Sequence, residues 1–483
     1  MKRKIVLSYI LVGMAMLLAY SPLRTQVEDT PETARIEQAR EVWLNFFVHG
    51  IMSIKPHLTA SNFLRFMRDD VENTTYAKAV EIMRQNNHFY KNQAMQDFGH
   101  LKIDPTLMDK GNASSALARI LDEVTLWSHG PHIENHYYTF GWSGLLSPTC
   151  RYKEALGLYN AIDQEIESFQ AKGIIPKVRV IGYSHGGNVV LNLGGVRQKE
   201  AVNKNLVIDE TLLLGTPIQS ETDYLIQDEV FKKVYNIFST GDRVQKLDFF
   251  SFNRFFSQRV FKERPGFILP KKLIQIQLKL TRNTPKSRSN KKKFANTYNF
   301  KNKAIVSGKS HLLKDSSPGH AELWFFGWTP VHYRQTFALN PLPAVSIFPL
   351  IIKTVNEVEH QLHPEHPIIF DMRPEHGITL IKSVKQHKFH KVVEFIPQET
   401  FKKLQAMAHP YAPDSFTVEE YSKHVYQAYV DAHNVYVNEW SLQAKNRKRV
   451  TIKKQKKQER KELKIAMKNK KNEVPKFNML INA

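Results

Sequence analysis

Gly182-Tyr183-Ser184-His185-Gly186 joins a short run rich in β-branched residues, KVRVI at 177–181, to an apolar run, GNVVLNL at 187–193. The first run predicts a strand and the second continues as a helix. A serine between them is predicted to sit on an abrupt strand-to-helix turn. Only small residues two positions to either side let strand and helix pass so closely. No other feature of the 483 residues constrains the fold as much.

The rest of the chain supplies a matching context. Residues 42–48, VWLNFFV, form a continuous apolar run that predicts a buried strand ending at His49-Gly50-Ile51. Residues 55–122 are mostly helical in pattern, with apolar positions at three-to-four spacing in 77–83. A second strand is predicted over 135–142 and an amphipathic helix over 152–170, stopped by Gly173. Beyond the serine turn, strands are predicted at 206–214, closed by Gly215-Thr216-Pro217, and at 233–239, closed by Thr240-Gly241-Asp242. A short strand follows at 304–307, then helical segments at 321–326 and 347–362. Strands alternating with helices predict an α/β fold, with a mostly parallel central sheet covered on both faces. From about residue 364 the pattern turns to short strands, histidines and prolines, then a helix at 418–443. The expected organisation is an α/β domain over 36–362, with a basic insertion at about 265–303. A small C-terminal appendage at 363–443 and a basic helical or disordered tail at 444–483 complete it.

Charge is concentrated in two places. Residues 271–303 hold eleven Lys/Arg and no acid, and residues 445–476 hold fifteen against three acids. These segments carry the whole net charge of +23, so the remainder is neutral. That distribution excludes a uniformly basic nucleic-acid binder; the segments fit solvated tails or adhesion to anionic lipid. The C-terminal segment has no aromatic residue to stack on bases, which counts against nucleic acid. At the other end, Lys2, Arg3 and Lys4 precede an apolar run over 5–20. This is the pattern of a targeting leader (residues 1–25), cleaved as a signal peptide or kept as a marginal anchor, and it predicts an exported or membrane-associated protein. The single cysteine, Cys150, rules out an internal disulfide and has no recognisable activating setting.

With the serine turn in place, residues 42–359 resemble the α/β-hydrolases of the lipase and esterase type. The resemblance implies an α/β-hydrolase fold and a triad in the order nucleophile, acid, histidine. Ser184 matches the nucleophile. Asp242, directly after an apolar strand, matches the acid ahead of Asp209, Asp223 and Asp248. His320, in Gly319-His320-Ala321, matches the base, with His311 on the same loop as the alternative. The implied oxyanion hole takes one backbone N–H from His185 and one from Ile51, with Met52 next in line. No cofactor and no metal is implied. His360, His363 and His366 recur every third residue, but Pro364 and Pro367 break any helix that would align them. Trp142, Trp324, Phe325 and Phe326 fit core packing better than an acyl pocket.

The expected function is therefore serine hydrolysis of a carboxylic ester, with a lipid or other acyl ester as substrate. The same triad serves thioesterases and amidases. The competing class is a membrane-associated binding or scaffold protein that keeps a hydrolase fold.

Overall fold

The computed structural model describes residues 40–51, 69–72, 74–85, 93–96, 98–107, 113–201, 203–246, 257–284, 296–299, 304–307, 312–315, 317–327, 337–384, 389–408 and 418–472. The chain divides into two units, Met1–Arg40 and Glu41–Ala483. The leader expected at 1–25 lies outside the described residues. Among those described, no helix is long and apolar enough to cross a membrane.

The second unit is an α/β structure around one sheet. Its parallel centre is built from β1 (Glu41–Val48), β3 (Ile133–Gly141), β4 (Lys177–Tyr183), β5 (Glu210–Leu214), β6 (Val234–Ser239), β7 (Leu273–Thr284) and β11 (Ile368–Arg373). The edges are β2 (Gly99–Ile103) on one side and β12 (Ile378–Ser383) with β13 (Phe389–Glu394) on the other. The spatial order is β13-β12-β11-β7-β6-β5-β4-β1-β3-β2. The pairs β2–β3, β11–β12 and β12–β13 run antiparallel. An eleventh strand, β10 (Leu312–Asp315), pairs antiparallel with the end of β7. A separate hairpin joins β8 (Asn296–Asn299) to β9 (Ala304–Ser307).

Both faces of the central strands are buried, which is why β1, β4 and β5 read as predominantly apolar runs rather than alternating ones. Phe47, Ile181, Leu212 and Leu214 point into one core, and Phe46, Val48, Val180 and Leu213 into the other. The first core is closed by α1 (Thr75–Gln85), α2 (Ala113–His129), α5 (Phe348–Asn356) and α6 (Gln398–Ala408). The second is closed by α3 (Pro148–Gln170) and α4 (His185–Lys199). In α3 the start is set by Ser147, whose hydroxyl accepts from the Cys150 amide at 3.0 Å, with Pro148 entering the first turn. Gly173, at φ 77°, takes the left-handed turn that ends the segment.

From β1 the chain moves outward to β3 and then returns across β1 to β4. Connections therefore leave in opposite directions around β1, which opens a crevice at the carboxyl ends of these strands. His49-Gly50 and Ser184 both lie there.

Several expectations need correction. Residues 265–303 are not simply an insertion: β7 sits inside the sheet between β6 and β11, with Ile274, Ile276, Leu278 and Leu280 buried at period two. Nor is 363–443 an appendage. There β11 pairs parallel with β7, and β12 and β13 extend the same sheet. The stretch 55–122, expected to be mostly helical, contains the edge strand β2. Finally, 347–362 is interrupted: α5 ends at Asn356, before a 3₁₀ turn at Glu359–Gln361, and 321–326 holds only the 3₁₀ turn Ala321–Leu323. The helix expected at 418–443 is longer, running as α7 over Val418–Asn472.

Candidate active site

Ser184 follows the last residue of β4 and precedes the first of α4, with φ 52° and ψ −131°. A non-glycine residue rarely adopts this left-handed value, and here the surrounding packing imposes it. A Cβ on Gly182 would lie 2.6 Å from Gly187 Cα, and one on Gly186 would run into the carbonyl oxygens of Val48 and His49. Glycine at both positions lets β4, α4 and the end of β1 converge on the serine.

Asp242 and His320 come to it from two separate loops. Asp242 follows β6 and is fully buried. Its Oδ1 accepts from the Gln245 amide at 3.1 Å, leaving Oδ2 for the imidazole. The Asp242 carboxylate lies 2.7 Å from His320 Nδ1, and His320 Nε2 lies 2.9 Å from Ser184 Oγ. Because the carboxylate accepts from Nδ1–H, Nε2 is free to accept from the serine hydroxyl. Two glycines permit this approach. A Cβ on Gly215 (φ 58°) would meet Asp242 Oδ2 at 3.1 Å and His320 Nδ1 at 3.4 Å, and one on Gly241 would collide with the carbonyls of Ser317 and Pro318.

His320 is held from beneath by aromatic packing. Tyr183 donates its hydroxyl to the His320 carbonyl at 3.0 Å, and its ring lies 4.9 Å from the imidazole. On its other contact Tyr183 stacks on Trp324, with ring centres 5.1 Å apart. Trp142, Trp324 and Phe326 are buried in the core, while Phe325 is half-buried and packs edge-on against Tyr183.

The two segments expected to supply oxyanion donors border the serine. His185 opens α4 directly after it, and a Cβ on Gly50 would lie 2.9 Å from Ser184 Cβ, so the Gly50-Ile51 backbone passes alongside. His49 braces that passage. Its Nδ1–H donates to the Gly50 carbonyl at 2.7 Å, and its Nε2 accepts from the Trp142 amide at 3.2 Å. Burial pushes the His49 imidazole from 6.5 down to about 3, which keeps it neutral. Behind His185 lies a second support, Arg151, which donates to His185 Nδ1 at 2.8 Å and to Gln219 Oε1 at 3.1 Å. An arginine only donates, so the His185 proton sits on Nε2.

The competing residues go elsewhere. Asp209 lies at the opposite end of the sheet, where it accepts from the Val178 amide at 3.0 Å and pairs with Lys232. Asp223 pairs with Arg264. Met52, Asp248 and His311 fall outside the described residues. His363 and His366 face each other across a tight turn, ring centres 5.4 Å apart. Among the described residues no group of three or more His, Cys, Asp or Glu could hold a metal. Cys150 does lie in a helix first turn, contrary to expectation, but burial raises its thiol above the usual range.

Sequence reasoning missed Arg151, Gln245 and Tyr183. Nothing in the local sequence marks Arg151, which acts on His185 thirty-four positions along the chain, and Gln245 serves Asp242 three residues away through its backbone amide, which no side-chain pattern signals. Tyr183 lies inside the serine pentapeptide, yet its partner emerges only once the His320 loop is placed. No protein-family model matches the chain, and no curated protein matches it.

Arranged this way, hydroxyl, imidazole and buried carboxylate form a relay. The imidazole can take the serine proton, and the carboxylate stabilises the cation that results.

Proposed function

We propose that this chain is a serine hydrolase of the α/β-hydrolase type, cleaving carboxylic esters of a lipid or other acyl group. One observation carries the reading: Ser184, at φ 52° on its strand–helix turn, lies 2.9 Å from His320, which lies 2.7 Å from buried Asp242. The central sheet and the oxyanion-side backbone agree with it.

In the proposed reaction Ser184 Oγ attacks the ester carbonyl carbon while its proton passes to His320 Nε2. The carbonyl oxygen becomes an alkoxide held by the Ile51 and His185 amides. His320 returns the proton to the leaving alcohol oxygen as the ester C–O bond breaks, and an acyl-serine remains. Water then attacks that acyl group, giving one proton to His320 and releasing the acid as Ser184 regains its hydrogen. Asp242 keeps the ring oriented and balances its charge in both steps.

Fluorophosphonate labelling of the purified full chain tests the reading. Labelling is expected at Ser184, absent in Ser184→Ala and lost in His320→Ala. A folded wild-type chain that resists the probe would overturn it.

A further inference from the structure

The far part of α7 is exposed on every side from Lys448 to Ile465. Its charges are nevertheless sorted. At 100° per residue, Arg449, Lys453, Lys457, Arg460 and Lys464 fall on one line, flanked by Lys454, Lys456 and Lys461. All eight lie within an arc of about 160°. The other side holds both acids of the segment, Glu459 and Glu462, with one cation, Lys448, between them, together with Ile452, Leu463 and Ile465. Val450 alone of the uncharged residues lies among the cations. A randomly solvated lysine tail has no reason to segregate in this way.

We infer that this stripe docks the protein on an anionic lipid surface, laying residues 449–465 of α7 along the headgroups. This goes beyond ester hydrolysis and does not depend on it. Three features favour lipid over a nucleic acid. The stripe is straight for about 22 Å, which suits a plane of headgroups better than a groove that curves away from a helix. Six of its eight cations are lysines, which meet diffuse negative charge as point charges, whereas base and phosphate recognition favours the arginine fork. No aromatic residue lies in the segment to stack on bases. Val450, inside the basic face between Lys457 and Lys461, adds a small apolar contact below the headgroup level.

Sedimentation of the full chain with phosphatidylcholine vesicles, with and without phosphatidylserine, tests the inference, with helicity followed by circular dichroism. Binding is expected only to the anionic vesicles and is expected to fall steeply with added salt. Neutralising Lys453, Lys457, Arg460 and Lys464 to Gln is expected to weaken it about fivefold per charge. A second variant scrambles the stripe at constant composition: Lys457→Gln with Gln458→Lys, Glu459→Arg with Arg460→Glu, and Lys461→Glu with Glu462→Lys. It should lose binding as the neutralised variant does while keeping its helicity. Wild-type affinity in the scrambled chain would overturn the stripe. Failure of the wild type to bind anionic vesicles, or binding of duplex DNA in their place, would overturn the lipid surface.

Discussion

Around Ser184, the residues that matter most are those that forbid alternatives. Gly186 faces the Val48 and His49 carbonyls so closely that no side chain fits. Arg151 places a buried guanidinium against the ring next to Ser184, 2.8 Å from His185 Nδ1. In Arg151→Met the His185 ring loses its anchor, and fluorophosphonate labelling of Ser184 is expected to slow about tenfold, less than direct loss of an oxyanion donor costs. Labelling at the wild-type rate would show that Arg151 serves packing alone. His49 ties the same region to pH. Its folded imidazole stays neutral down to about 3, against 6.5 ordinarily, so below pH 6.5 the unfolded chain binds the extra proton. Stability from this group is complete above pH 6.5 and declines as pH falls towards 3, by about 1.4 kcal/mol per pH unit. Urea unfolding across that window should show a shallower acid slope for His49→Gln than for the wild type. Equal slopes would place the sensitivity elsewhere.

At the scale of elements, the sheet was legible wherever a strand is buried on both faces. Residues 42–48 and 177–181 announce themselves because apolar and β-branched residues dominate them, Asn45, Lys177 and Arg179 apart, and glycines close the turns after β5 and β6. Ser184 and Asp242 were legible with it, since each follows such a strand, whereas His320 stands on a loop beyond β10. What sequence did not show was β7. Its repeat LIQIQLKL alternates cleanly, but it stands inside a segment dominated by lysines, and the charge hid the period. Missing β7 made β11 seem isolated, and with it the whole C-terminal part. The join between these strands is held by a buried polar cluster that no sequence pattern reveals. Asp371 on β11 is fully buried; it accepts from Thr281 on β7 at 2.6 Å and pairs with Arg373 at 3.0 Å and Lys382 at 2.9 Å. Asp371→Ala would strand two cations in the interior, at a cost of about 3–5 kcal/mol. A urea midpoint unchanged from wild type would show that water relieves those charges.

For the whole molecule, the corrected sheet redraws where the chain can be cut. The sequence pattern put the boundary near residue 363, but β11 pairs with β7 from Ile368 to Met372, covering Ile276, Leu278 and Leu280. Beyond it α6 buries Leu404 and Ala408 in the core and ties Lys403 to Glu123 of α2 at 2.6 Å. A chain ending at residue 362 therefore exposes a long apolar sheet edge and loses part of one core, a combination that invites edge pairing between molecules. The exposed stretch of α7 has the opposite character: from 448 to 465 every residue faces solvent, so removing it uncovers nothing. Ending the chain at residue 443 should leave the melting temperature and Ser184 labelling at wild-type values and abolish binding to anionic vesicles. Ending it at 362 should give insoluble protein. Soluble, labelled protein from the shorter chain would mean that β1 to β7 suffice as a core, with β11–β13 an addition to an already stable sheet.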